Sequence, residues 1–562
     1  MTPENTKSLS RREWFSRAAL PAAAASLAYP MLANTSVHAA DPAAPQTLDT
    51  KFAVFDIRDF GAVGDGEKLN TAEIQAAIDA AHGANGGIVL VPTGGTFLCG
   101  TIELKSNVTL HIATNATLLG SKNPADYRAG RGVPSSNGNI VFISAADAEN
   151  VTIEGNGTID GNGLAFFTGR GDNTGPGANS AEGYFQRPHL LIFARCKKLR
   201  MRDVFLTASA YHCARILNCE YIYFEHVRIF NRVNLNNDGF HFNNCQYVHI
   251  DGCDIKCQDD ACALFGSNKF VTVANCSFST RWSIFRFGGG SSENIVVTNC
   301  LIYETYGCVI KMGAGGRSRH ENMHFSNLIF RNVTGPISLG LSDGGRPGQD
   351  GQPAPRGIVR NITFSNIRGN VVAHASQYED MHWEQKYRPG EERTCITLNS
   401  FGQSYLENIT LSNIHLTFEG GGTAEESQLR DVPQVAGEYF EIGNRPAHGV
   451  YARNVRGLTI DNVRFETATP DLRPAIVLDN VSDAALSNVT TQGNTEGPSV
   501  VRCINTTDTL ISAPRLVTPA AVYLAVEGER SADITVAGGD IRKAATPATF
   551  ERGATENAAR VR

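Results

Sequence analysis

A right-handed parallel β-helix is the fold this sequence predicts, on three observations: a period, a column of apolar residues and a column of asparagines. The period shows in the phrase Asn361-Ile362-Thr363-Phe364-Ser365-Asn366-Ile367 and its weaker copies. The first apolar residue of the phrase recurs as Val151, Leu199, Ile222, Val248, Val271, Ile295, Met323, Ile362, Ile409, Leu458 and Ala484. From Leu199 to Met323 the intervals are 23, 26, 23, 24 and 28 residues, and the later intervals of 39, 47 and 49 leave room for loops. Short β-rich repeats of this size, without a long amphipathic helix in each, argue for stacked coils of strand.

Five residues after the anchors stand Val204, Val227, Cys253, Cys276, Cys300, Leu328, Ile367, Ile414 and Val463, all apolar, as an inward-facing stack requires. One place before that column stand Asn275, Asn299, Asn327, Asn366, Asn413, Asn462 and Asn488. Asparagine tolerates the left-handed turn conformation and can hydrogen-bond to its copy in the next coil, so this column predicts a repeated sharp turn.

Taken in order, the chain opens with Arg11-Arg12, an alanine-rich apolar run and the small residues Ala39-Ala40. This predicts a Tat-type export signal over 1–40 and a linker over 41–52, with a periplasmic or secreted mature protein. A plain Sec signal or a short anchor is the alternative. No later run approaches the roughly 18 apolar residues of a membrane span. Asn70 and Glu73 carry a capping-box pattern ahead of Ile74, Ala77, Ile78 and Ala81, which predicts a helix plugging the open end of the solenoid. One β-helix domain is expected over 53–543, followed by a frayed tail over 544–562 that lacks the period.

The 562 residues carry a formal net charge of -6, which predicts no nucleic-acid footprint, so an acidic substrate would have to be held by local cations. Thirteen cysteines are present, an odd number. Cys253, Cys276 and Cys300 read as buried apolar residues, while Cys213 with Cys219 or Cys245 are candidates for a bridge. No paired Cys-x-x-Cys or Cys/His spacing suggests zinc, so neither a metal nor another cofactor is expected.

The chemistry concentrates in Asn236-Asn237-Asp238-Gly239 and Gln258-Asp259-Asp260-Ala261. Counted back from the next anchor, Asp238 lies 10 residues before Val248, and Asp260 and Asp259 lie 11 and 12 before Val271. Near-equal phase on neighbouring coils predicts one surface site about 4.8 Å deep per coil. Three carboxylates so close cannot all ionise freely, so at least one is expected to hold its proton above the usual range, as a general acid must.

These motifs, with Phe60-Gly61-Ala62-Val63-Gly64-Asp65-Gly66 and Ile159-Asp160-Gly161-Asn162-Gly163, resemble the polygalacturonase family, glycoside hydrolase family 28, from about Asp56 to Asp479. The resemblance implies a single β-helix domain hydrolysing acidic pectic glycans, with Asp259 as acid and Asp238 and Asp260 activating water. Such a reaction inverts the anomeric centre across a gap of roughly 6.5 to 9.5 Å. Three departures stand out. Arg281-Trp282-Ser283 replaces the family's Gly-His-Gly, Val309-Ile310-Lys311 replaces Arg-Ile-Lys, and Asn237 stands where threonine is usual. Asn236, Arg281, Trp282, Arg286 and Lys311 are the expected substrate-binding residues, with Lys311, 12 before Met323, in phase with Asp259. A monomer acting on a polysaccharide is the first reading; a polysaccharide lyase and a non-catalytic carbohydrate-binding scaffold are the others.

Overall fold

The computed structural model describes residues 53–133, 140–166, 187–342, 356–383, 394–430, 432 and 444–562, all within the unit Phe52–Arg562. The export signal and linker expected over 1–52 lie outside the described residues. Within them, strands of successive coils pair through one continuous 42-stranded sheet as a right-handed parallel β-helix. Among the described residues every strand pairing is parallel except a short antiparallel contact between Arg128–Ala129 and Ile140–Ala146. A connection between parallel strands is right-handed because the strand's own twist packs only that way.

The period reads through to the register. Val151 lies opposite Leu199, Leu199 opposite Ile222, Ile222 opposite Val248, and Val248 opposite Val271. The apolar column at Val204, Val227, Cys253, Cys276, Cys300, Leu328, Ile367, Ile414 and Val463 is buried along its whole length. One hydrophobic core therefore runs from Ile57 to Ala559. All thirteen cysteines are buried and free, so the bridge considered for Cys213 with Cys219 or Cys245 does not form. Cys196, Cys219 and Cys245 instead fill one line of the core, with the Cys196 N–H donating to the Cys219 Sγ.

The asparagine column forms the expected ladder. Asn299, Asn327, Asn366, Asn413 and Asn462 each donate a side-chain Nδ2 hydrogen bond to the Oδ1 of the copy one coil back, at 2.6 to 3.4 Å. All are left-handed, with φ between 50° and 58° for Asn275 through Asn488. A second ladder, absent from the reading above, occupies the position just before the anchors: Asn322, Asn361 and Asn408 donate in turn to Asn294, Asn322 and Asn361. Toward the N-terminus the same left-handed position holds Tyr221, Tyr247 and Phe270, whose rings stack at 4.8 and 5.1 Å. Left-handed geometry costs such residues about 1–2 kcal/mol each, and ring stacking returns about 0.5–1.5 kcal/mol per pair.

Two expectations about the ends need correction. The helix Thr71–Gly83 forms and buries Ile74, Ala77, Ile78 and Ala81 against the first strands. Asn70, however, does not cap it: its Oδ1 accepts from the Val63 N–H, and Glu73 pairs with Lys68 at 2.9 Å. At the other end the solenoid does not stop near Lys543. Ala544–Glu551 pairs with Ala520–Glu527, and Ala559–Val561 pairs with Ala532–Ala537. Short side chains hide the pattern there, but the backbone ladder that extends a coil needs no particular side chain.

The ladder yields a stability test at Asn366. Asn366→Gly keeps the left-handed turn and loses two side-chain hydrogen bonds; Asn366→Ala loses both and adds strain. We expect Asn366→Ala to cost about 1–2 kcal/mol more than Asn366→Gly in urea unfolding. Equal costs would show that the turn geometry is not what selects asparagine.

Candidate active site

The carboxylates meet because of strand register. Phe240–Asn243 pairs with Cys262–Phe265, with Phe240 opposite Cys262. Two residues earlier in each coil, Asp238 and Asp260 are therefore direct neighbours, and the Gly239 N–H donates to the Asp260 carbonyl at 2.9 Å. Asp259 stands one residue before, its N–H donating to the Asn237 carbonyl at 3.1 Å. Glycine is required at 239, since a Cβ there would lie 2.4 Å from the Ala261 carbonyl oxygen.

Counting back from the next anchor misplaces the cations. Arg215, His241, Ala263, Arg286 and Lys311 form a single register column. Lys311 thus lies three residues beyond the Asp260 phase, not level with Asp259. The physical reason is turn length: the distance to the next anchor grows from 7 residues at His241 to 8 at Ala263, 9 at Arg286 and 12 at Lys311. Each added turn residue shifts a backward count without moving the strand.

The Asp238 turn is fixed by neighbouring amides. Asn237 Oδ1 accepts from the N–H groups of Val233 and Asn234, and its Nδ2 donates to the carbonyls of Ser209 and Tyr211. Asn231 donates to the Asp238 carbonyl at 2.9 Å. Asparagine in place of threonine at 237 thereby closes its own turn at two points and ties it to the preceding coil at two more. Asn236 is left-handed at φ 56° and donates to Asp259 Oδ2 at 3.3 Å, while Arg187 holds its Oδ1 at 3.2 Å.

Asp238 is 4% exposed and shares a 2.7 Å hydrogen bond with His241 Nδ1. His212 Nε2 approaches its other oxygen at 3.7 Å, and the two imidazoles stack at 4.8 Å. Burial, and then the charge of Asp260, push the Asp238 carboxyl well above its usual range. Burial, then Asp238 and Asp260, do the same to Asp259. The imidazoles move the other way: burial and Arg215 lower His241 to about 4, and burial also keeps His212 and His189 neutral. Asp260 accepts from the Ser283 N–H at 3.2 Å, with Arg286 Nε 3.8 Å from its other oxygen.

The sequence passed over Arg187, His189 and Arg215 and left His212 and His241 unassigned. Their signal was available in the register, since His189, His212, Asp238, Asp260 and Ser283 fall in one line. Lys311 is 1% exposed beside Arg286. Trp282 is 9% exposed, with the Arg281 guanidinium 4.7 Å from its ring centre and Arg281 donating to the Tyr306 carbonyl. These two make a buried wall. His212, Asp238 and His241 present ligand atoms within 4.8 Å of one another, a donor set able to hold a divalent cation.

Raised carboxyl pKa values set a sign for stability. The unfolded chain releases these protons first, so the fold loses stability as pH rises from the usual carboxylate range toward the raised values. Asp259→Asn removes part of that loss. The variant should gain more in melting temperature over wild type at pH 7 than at pH 4; the same gain at both would contradict the shift.

Against known proteins, the model of "Glycosyl hydrolases family 28" matches residues 85–433. A polygalacturonase of Persea americana is 26% identical over 332 residues, covering 57% of this chain and 68% of its own. An exopolygalacturonase of Arabidopsis thaliana is 28% identical over 343 residues, covering 57% and 73%. The solved family 28 exopolygalacturonase of Yersinia enterocolitica superposes with a TM-score of 0.55 at 20% identity, covering 82% and 78% of the two chains, and shares the fold. Because the family match spans more than half of the sequence, the chain belongs to glycosyl hydrolases family 28.

Proposed function

We propose that this glycoside hydrolase cleaves pectic polygalacturonan or a closely related acidic glycan, with inversion. The observation that carries the reading is the carboxylate line Asp238 and Asp260, with Asp259 beside it, flanked by the cation column of Arg215, Arg286 and Lys311. Asp259, held protonated by burial, gives its proton to the glycosidic oxygen, while Asp260 deprotonates the attacking water that Asp238 helps to orient. Donating that proton lets the leaving sugar depart as an alcohol, and the water proton passes to Asp260. Neutral His241 and His212 hold Asp238 without adding a competing charge.

The cation column also answers the lost family arginine. Val309 is buried, but Arg286 stands one coil before Lys311 in register and supplies the guanidinium fork that a lone lysine lacks. Asn236 and the Arg281–Trp282 wall complete the substrate contacts. Cleavage from a chain end is supported by the segment His374–Trp383. Within it Asp380 pairs with Arg232 at 2.8 Å, and Tyr378 lies under the same guanidinium at 3.9 Å, walling the turn that leads to Asp238. In the same reading the N-terminal helix closes the first coil. The protein is exported through a Tat-type signal over 1–40 and acts as a monomer without nucleic acid. Among the described residues no helix is long and apolar enough to cross a membrane.

Two variants test the reading on polygalacturonate and its oligomers. Asp259→Asn should lower kcat about 10²- to 10⁴-fold with substrate binding retained. Arg286→Ala should raise KM about tenfold or more for galacturonate oligomers, with a smaller effect on a neutral oligosaccharide. Products absorbing as unsaturated sugars would identify a lyase instead, and undiminished release by Asp259→Asn would sink the acid assignment.

A further inference from the structure

The register that aligns the carboxylates continues toward the C-terminus and meets a second cleft. From Arg286 the column passes through Lys311, Ser338, Thr397, Tyr451, Val477 and Arg502. His448 stands three residues before Tyr451 and Ser499 three before Arg502, as Asp238 stands before His241 and Asp260 before Ala263. Backbone hydrogen bonds from His448 to Pro474 and from Ala475 to Val500 carry the ladder through this point. His448 and Ser499 therefore lie on the carboxylate line, five and seven coils past Asp260, or roughly 24 and 34 Å along the solenoid.

A cleft of about 400 Å³ opens there, lined by His448, Asp471, Arg473, Gln492, Asn494 and Ser499 among others. That volume falls within the roughly 300–1,000 Å³ of small-ligand pockets. Two of its polar side chains are deeply buried and unsatisfied. His448 is 3% exposed; its Nδ1 lies 3.1 Å from the Arg473 carbonyl, and its Nε2 has no hydrogen-bond partner. A carbonyl can only accept, so Nδ1 carries the proton and Nε2 of the neutral ring is an acceptor. Ser499 is 8% exposed, and its hydroxyl also has no partner. A buried polar atom without a partner costs about 1–3 kcal/mol, which a hydroxyl-bearing ligand would recover.

The charge balance selects the ligand class. Arg473 is clamped by Asp471 through Nε at 3.0 Å and Nη2 at 2.8 Å, so the two side chains neutralise each other. Asn494 Nδ2 donates to the Asp471 carbonyl, and Gln492 Oε1 accepts from Thr467, which fixes amides along the wall. With no uncompensated charge among its described lining residues, the cleft suits hydroxyl groups, in contrast to the basic column beside the carboxylates. We propose that this cleft is a second carbohydrate-binding site, taking an uncharged glycosyl residue of the glycan that the catalytic groove processes. The choice of a sugar rests on the glycan-hydrolase reading; the neutral, hydroxyl-binding character rests on the cleft alone.

Calorimetry on the full-length Asp259→Asn protein, titrated with neutral galacto- and arabino-oligosaccharides and separately with trigalacturonate, tests this. Ala468→Trp, added to fill the cleft mouth, should weaken neutral-sugar binding about tenfold or more. Ser499→Ala should weaken it severalfold, while the melting temperature of both stays near that of the parent. In the Asp259 background, Ala468→Trp alone should hydrolyse trigalacturonate at the wild-type rate. Absence of any neutral-sugar binding at about 10 mM, binding indifferent to both substitutions, or occupation of the cleft by trigalacturonate alone would each overturn the proposal. Failure of the wild-type protein to hydrolyse trigalacturonate, with neutral-sugar binding intact, would count against the catalytic reading and leave this one standing.

Discussion

Parallel stacking in register is the constraint on which everything else in this molecule depends. Each residue of a coil sits about 4.8 Å from its counterpart in the next, so whatever the sequence places at one phase is repeated into a line. Lines of valine, isoleucine and cysteine become a core, and lines of asparagine become a hydrogen-bonded ladder. A line containing Asp238 and Asp260, with Asp259 at its flank, becomes a concentration of like charge that the fold would not build for stability.

The surroundings show how that charge is accommodated. Burial keeps protons on Asp238 and Asp259, and the imidazoles of His212 and His241 are held neutral so that they fill space and share hydrogen bonds without bringing a fixed charge. Basic side chains stand three residues further along the coil, at Arg215, Arg286 and Lys311. In the proposed reading Asp259 donates a proton and Asp260 accepts one, which is the division of labour that acid–base cleavage needs. In the same reading a family residue lost at one coil is replaced by similar chemistry from the coil before it. Val309 turns into the core while Arg286 sits in register with Lys311.

What the sequence revealed follows from which signals are periodic. The anchor column, the inward column and the Asn275-to-Asn488 ladder repeat often enough to be read against a varying background, and each lies where it was expected. Phase across loops was harder. The backward count put Lys311 level with Asp259 because it treated turns as equal in length, whereas the turn after Lys311 is five residues longer than that after His241. The ladder containing Asn294 and Asn322 went unseen because the same turn position holds Tyr221, Tyr247 and Phe270 in earlier coils, so no single residue type marks it. His189, Arg187 and Arg215 carry no motif of their own, and only strand pairing brings them to the carboxylates. The last coils were illegible because alanine and threonine give little hydrophobic contrast.

The central claim is that register-aligned Asp238 and Asp260, with Asp259 beside them, form one acid–base site that cleaves through a single displacement by water. Following the anomeric proton of the newly released sugar by NMR during the first minutes of polygalacturonate hydrolysis tests it most directly. The account predicts that the first product carries the anomer opposite to that of the bond cleaved, before mutarotation mixes the two. First product of the same anomer would demand a covalent sugar–enzyme intermediate and contradict it.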